Sequence, residues 1–213
     1  MTTFLLIRHG ESMANAEKRF AGHLDIPLSP LGEQQAALTA AFIANTHHVD
    51  AVYASDLKRA FFTGKAVADT LGLPIFPDNQ LREIAAGEWE GVIFDQLQVL
   101  FADSYRRWLT DIGNAGCDGG ETVSQLQTRF LAALRRIAER HPFQTVVIAT
   151  HATPIRVLQC HCEGKKLAEM HDIPWVSNAS ITTVTYEDGV FRAVATGEEA
   201  HLGTSGSKLP ANV

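Results

Sequence analysis

The chain has 213 residues, 46% of them hydrophobic and 20% charged, a globular composition that excludes disordered, collagenous and membrane-spanning classes. Its 18 Lys and Arg against 24 Asp and Glu give a net charge of −6. That field repels polyanions, so neither nucleic acid nor an acidic membrane is expected as a partner, and an anionic ligand needs a locally positive pocket.

In chain order, residues 3–7 are an apolar run ending at Arg8, His9 and Gly10, which predicts a buried strand entering a loop. The run is far too short for a secretory or membrane segment. A Ser-Pro opening predicts a helix over 29–45, and a strand at 49–54, a helix at 57–71 and a short strand at 73–76 follow. Residues 84–121 break the alternation and are read as an inserted helical cap, with helix over 94–109. Residues 122–140 carry Val123, Leu126, Phe130, Leu134 and Ile137 at helical spacing. A β-branched strand at 145–149 ends at Thr150 and His151, a helix runs through Pro154 to about 160, and Glu187, Asp188 and Gly189 join the strands of a hairpin.

This order predicts an α/β fold: one domain over 1–213, with a mainly parallel central sheet flanked by helices on both faces. The cap and the hairpin are added to it, and residues 197–213 are expected to be a tail. Ser205, Gly206, Ser207 and Lys208 lack the spacing of a phosphate loop. Cys117, Cys160 and Cys162 are too few and odd in number for a secreted disulfide framework, which points to the cytoplasm.

Ligands of open α/β sheets bind beyond the carboxyl ends of the strands, so His9 and His151 are expected at one edge, with Arg8 and Arg59 beside them. Guanidinium donors and a helix N-terminus suit a phosphoryl group. Taken singly, Arg59 could pair with an acid on its own helix, Glu83 could cap a turn, and the segment around Trp89 could be a tight turn with a core anchor. Cys160, His161 and Cys162 lack zinc-site spacing, and no metal is expected there.

The series Arg8, His9, Gly10, Glu11, Ser12 and Asn15 continues through Gly22, Asp25, Pro27, Leu28, Ser55, Arg59, Leu81, Arg82 and Glu83. It then runs through Gly87, Trp89, Glu90 and Gly91, Gly119 to Glu121, and Thr150 with His151. In that order and across nearly the whole chain, it resembles the histidine phosphatase superfamily, in its phosphoglycerate mutase-like phosphatase branch. The resemblance implies a phosphomonoester hydrolase, without cofactor or metal, acting on a small phosphorylated metabolite. His9 would become phosphohistidine, Arg8, Arg59 and His151 would clamp the phosphoryl oxygens, and Asn15 would add a donor. Gly22 and Ala152 would adjoin the phosphate, and Glu83 would protonate the leaving oxygen and later take a proton from water. Ala152 stands where the family commonly has glycine, a small change that is expected to be tolerated.

A cofactor-dependent phosphoglycerate mutase is the alternative, with Arg106 and Arg107 available for a second anionic group. Such mutases have longer substrate-binding sequence after the acid, which favours the hydrolase. A non-catalytic phospho-ligand module is the third reading, opposed by the joint presence of a nucleophile and an acid. The leaving group is expected to be chosen by residues of the cap. A free sheet edge near the hairpin makes a homodimer possible.

Overall fold

The computed structural model describes residues 1–207. Strand β1 (Thr2–Arg8) is buried along almost its whole length. Successive side chains of a strand face opposite sides, so burying such a run requires cover on both faces. Phe4 and Leu6 pack into one apolar cluster, which takes in the later helices; Leu5 and Ile7 pack into another with Ala40, Ile43 and Val67.

A single turn, α1 (Met13–Ala16), precedes α2 (Pro30–Thr46), where the Ser29 hydroxyl accepts the Gly32 N–H and proline occupies the first turn. Strand β2 (Ala51–Ala54) leads into α3 (Lys58–Leu71), which ends at Gly72 with φ 66°. Then comes the short β3 (Ile75–Pro77). The helix expected over 94–109 is two helices, α4 (Phe94–Leu100) and α5 (Ala102–Thr110), broken where Phe101 takes φ −132°, ψ 46°. Helix α6 (Val123–Arg140) opens on a reciprocal pair, Thr122 bonding the Gln125 backbone and the Gln125 side chain bonding back. It precedes β4 (Thr145–Thr150) and α7 (Ala152–Cys162), which begins two residues before Pro154.

Strands β5 (Ile181–Glu187) and β6 (Val190–Glu198) form the hairpin, turned by Asp188 and Gly189 at φ 51° and 83°. The six-stranded sheet has the order β3-β2-β4-β1-β5-β6. Strands β1 to β4 pair in parallel, and the hairpin adds antiparallel neighbours, with β6 at an edge.

The expected tail is a correction in its described part. Strand β6 runs to Glu198, and a turn at Ala200–Ser205 packs on α2. There His201 stacks on Phe42, with ring centroids 4.9 Å apart, and Gln35 Nε2 donates to the Ser205 carbonyl at 2.8 Å. Its polar composition hid this anchorage. Lys208 and the rest of 208–213 lie outside the described residues. No described helix is long and apolar enough to cross a membrane.

Candidate active site

The parallel strands end at one edge, and the ladder hydrogen bonds run past the strands into the loops beyond. His9 N–H donates to the Thr150 carbonyl at 2.9 Å, Ser55 N–H to Ala149 at 2.9 Å and Asp78 N–H to Ala54 at 2.8 Å. Four strand ends thereby bring Arg8 and His9, Ser55, the segment leading to Glu83, and His151 together. The loop before β5 closes the site: the Ala179 N–H bonds the Arg8 carbonyl at 2.8 Å, and Asn178 Nδ2 bonds that of His9 at 3.0 Å.

His9 is buried, with Nδ1 2.7 Å from the Gly10 carbonyl. A carbonyl only accepts, so Nδ1 carries the proton and Nε2 holds the lone pair. The rings of His9 and His151 lie 5.1 Å apart, edge to face. Arg8 Nη1 donates to the Val176 carbonyl at 2.6 Å; Arg59, on the first turn of α3, donates through Nη1 to Leu24 at 2.8 Å and through Nη2 to Gly22 at 2.7 Å. Both guanidiniums are buried, and each leaves its Nε without a partner. Asn15 Oδ1 accepts from Ser12 and Asn178, so its Nδ2 is the group left to donate. Glu83 accepts the Ile84 N–H on Oε1 at 2.8 Å, and the Thr153 N–H of the first turn of α7 on Oε2 at 3.3 Å.

These groups line a cleft that opens to solvent, whose walls include Arg8, His9, Asn15, Gly22, Arg59, Glu83, Ala152 and Thr153. Gly22 needs its lack of a side chain: at φ 50°, a Cβ would stand 2.6 Å from both the Ala86 Cβ and a Glu90 carboxylate oxygen. The Ala152 methyl fits at the wall. His151 is withdrawn from the cleft, wholly buried, with Nε2 2.8 Å from Ser55 Oγ and Nδ1 unpartnered.

The family model described as histidine phosphatase superfamily, branch 1, matches residues 4–199. The chain belongs to this superfamily. Among its relatives, phosphoserine phosphatase 1 of Hydrogenobacter thermophilus is 30% identical over 188 residues, which cover 88% of each chain. A probable phosphoglycerate mutase, GpmB, of Enterobacter sp. is 38% identical over 91% of this chain and 89% of its own. The solved structure of Bacillus stearothermophilus YhfR superposes with a TM-score of 0.90 at 29% identity, covering 95% of this chain and 100% of that one.

In this histidine phosphatase, burial holds the His9 imidazole well below its ordinary range; Arg59 and Arg8 push the same way, against the Gly10 hydrogen bond. His151 is lowered likewise, chiefly by burial and then by Arg59 and His9. A pH dependence follows with a definite sign. Below about pH 6.5 the unfolded chain takes up protons that the folded imidazoles refuse, so stability is full above that pH and falls as acid is added. The melting temperature should drop between about pH 6.5 and 5, and less so in His151→Ala. A flat profile for the unsubstituted protein would contradict the buried, neutral imidazoles.

The cleft also holds residues that sequence reasoning passed over. Phe20, Phe94, Trp108 and Trp175 form an aromatic flank beside one further cation, Arg19. Trp175 is fixed by Arg156, whose guanidinium lies 4.3 Å from its ring centroid and donates to the Ile173 and Met170 carbonyls. Phe94 and Trp108 come from the cap, while Phe20 and Trp175 lie outside it. Arg106 and Arg107 lie elsewhere, around a shallow depression with Asp111, and Arg106 pairs with Asp103 at 2.7 Å. Trp89 is a fully buried anchor, its Nε1 donating to Asp118 at 2.9 Å.

Proposed function

We propose that this histidine phosphatase hydrolyses small phosphomonoesters through a phosphohistidine on His9. The observation that carries the reading is the 2.7 Å contact of His9 Nδ1 with the Gly10 carbonyl: it holds the proton there and leaves the Nε2 lone pair in a cleft lined by two buried guanidiniums. The Nε2–P bond forms as the ester O–P bond breaks, and protonated Glu83 passes its proton to the departing oxygen. Water then attacks phosphorus, the Nε2–P bond breaks, and a water proton restores the Glu83 acid. Arg8, Arg59 and the Asn15 amide hold the phosphoryl oxygens, and His151, tethered to Ser55, backs His9 as part of the same neutral imidazole pair.

Relatives named as phosphoserine phosphatases support a small phosphorylated metabolite as substrate. The aromatic flank suits a leaving group with an apolar part, and Arg19, its Nε held by Glu17 and its Nη1 by the Gly91 carbonyl, has Nη2 left for a second anionic group. A mutase must retain its alcohol while the phosphoryl group returns, and the arginine pair expected to help hold it lies outside the cleft. The same reading places the protein in a reducing cytoplasm, in keeping with its three free thiols, and includes pairing of two copies along the open edge of β6.

The deciding assay is phosphate release from p-nitrophenyl phosphate in EDTA, set against interconversion of phosphoglycerates primed by a bisphosphoglycerate. Release without interconversion is expected. Primed interconversion outrunning hydrolysis would make the chain a mutase, and phosphate binding without either activity would make it a binding module.

A further inference from the structure

Arg129, on α6, faces away from the cleft and uses its entire donor set on the segment that carries Glu83. Nε and Nη2 make a two-point bond to the Glu121 carboxylate at 2.8 and 2.9 Å. Nη1 donates to the Gln80 and Arg82 carbonyls, both at 2.9 Å, and Nη2 to that of Glu83 at 2.6 Å. Guanidinium has five N–H groups, and all of them are engaged. None remains for substrate, and Arg129 is absent from the cleft wall.

Glu121 extends the frame. Its Oε2 also accepts the Ala85 N–H at 3.2 Å, while its own N–H bonds the Ala85 carbonyl at 2.8 Å. His23 Nε2 is a second donor to the Glu83 carbonyl, at 2.8 Å. The Glu83 main chain is thus clamped on both sides, while its carboxylate is held by only two backbone N–H groups, one of them 3.3 Å away. The Arg129–Glu121 pair is itself largely buried, with side chains 17% and 14% exposed, which favours a fixed geometry over a solvated one.

We infer that Arg129, locked to Glu121, is a positioning residue that sets the Glu83 carboxyl at the leaving oxygen. The inference rests on Glu83 being the proton donor. A general structural role would lower all activities together, whereas a displaced proton donor matters only when the leaving group needs a proton. Phenyl phosphate and p-nitrophenyl phosphate share a ring and differ in that need. Compared through kcat/KM, they report the step up to phosphohistidine formation and exclude the later hydrolysis.

Arg129→Lys keeps the charge but supplies its donors from one point, so it cannot span Glu121 and three carbonyls. It should lose about tenfold in kcat/KM on phenyl phosphate and less than about threefold on p-nitrophenyl phosphate. Glu83→Gln should show the same selectivity at about a hundredfold on phenyl phosphate, and combining the two should add little to it. Equal losses of Arg129→Lys on both esters, or losses additive with Glu83→Gln, would overturn the positioning role while leaving Glu83 as the acid. If Glu83→Gln itself lost activity equally on both, the acid assignment would fall first and the inference with it. Should Arg129→Lys not fold, Glu121→Gln carries the same comparison, since it weakens the two-point bond without removing the guanidinium.

Discussion

Replacing His9 by alanine is expected to abolish turnover while leaving a folded protein that still binds phosphate. The His9 backbone supplies an N–H to Thr150 and a carbonyl to Asn178 and Ala179, and none of these bonds involves the ring. The imidazole it removes is one that burial, reinforced by Arg59 and Arg8, already keeps neutral. The covalent route disappears, so kcat on p-nitrophenyl phosphate should fall on the order of 10⁴-fold or more. Acid-labile label from a radioactive phosphate ester should no longer be retained. His151 is the imidazole that packs against His9, 5.1 Å away between ring centroids, but its Nε2 is engaged by Ser55 Oγ. His151→Ala should therefore still become labelled. Label persisting in His9→Ala and vanishing in His151→Ala would exchange the two roles.

The site was legible where the chemistry follows from topology. Arg8, His9, Glu83 and His151 lie at or shortly beyond strand ends, and parallel strands bring their carboxyl ends to one edge whatever the connections contain. The four-residue apolar run of β1 required two covering layers, and Asp188-Gly189 announced a hairpin turn. Trp175 and Asn178 gave no signal, because they sit in an irregular loop whose place is set by β5 pairing beside β1. Arg129 was hidden for a different reason. On an amphipathic helix that carries four arginines, any one of them reads as solvated polar face, and only the packed structure reveals five bonded N–H groups on Arg129. The break at Phe101 has no proline or glycine to mark it, and the withdrawal of His151 from the cleft is a matter of side-chain direction, which spacing does not encode.

Arg59→Met separates binding of the phosphoryl group from the stability of the fold. Without ligand, Arg59 is a buried cation whose acceptors are the carbonyls of Gly22 and Leu24, with Nε unpaired. Burial pushes its pKa down to about 10, although Glu83, Asp25 and Glu90 pull the other way. Arg8, also pushed down to about 10, lies near enough to feel Arg59 as a like charge. A shorter apolar side chain removes both the desolvation and the repulsion, at the cost of two carbonyl bonds, a buried one to Gly22 and a part-buried one to Leu24, where water can replace the donor. The variant should therefore melt at or above the unsubstituted protein in phosphate-free buffer. Inorganic phosphate should raise the melting temperature of the unsubstituted protein, because the anion binds only the folded state and repays the buried charge, and that rise should be largely lost in Arg59→Met. Activity moves the opposite way. Negative charge gathers on the oxygens that Arg59 would hold, so kcat/KM should drop about a thousandfold, by the same factor on phenyl and p-nitrophenyl phosphate, since those oxygens do not depart with the leaving group. A melting temperature lower by several degrees would instead make Arg59 a structural pin for the Gly22 loop, and a loss that differed between the two esters would connect it to proton transfer.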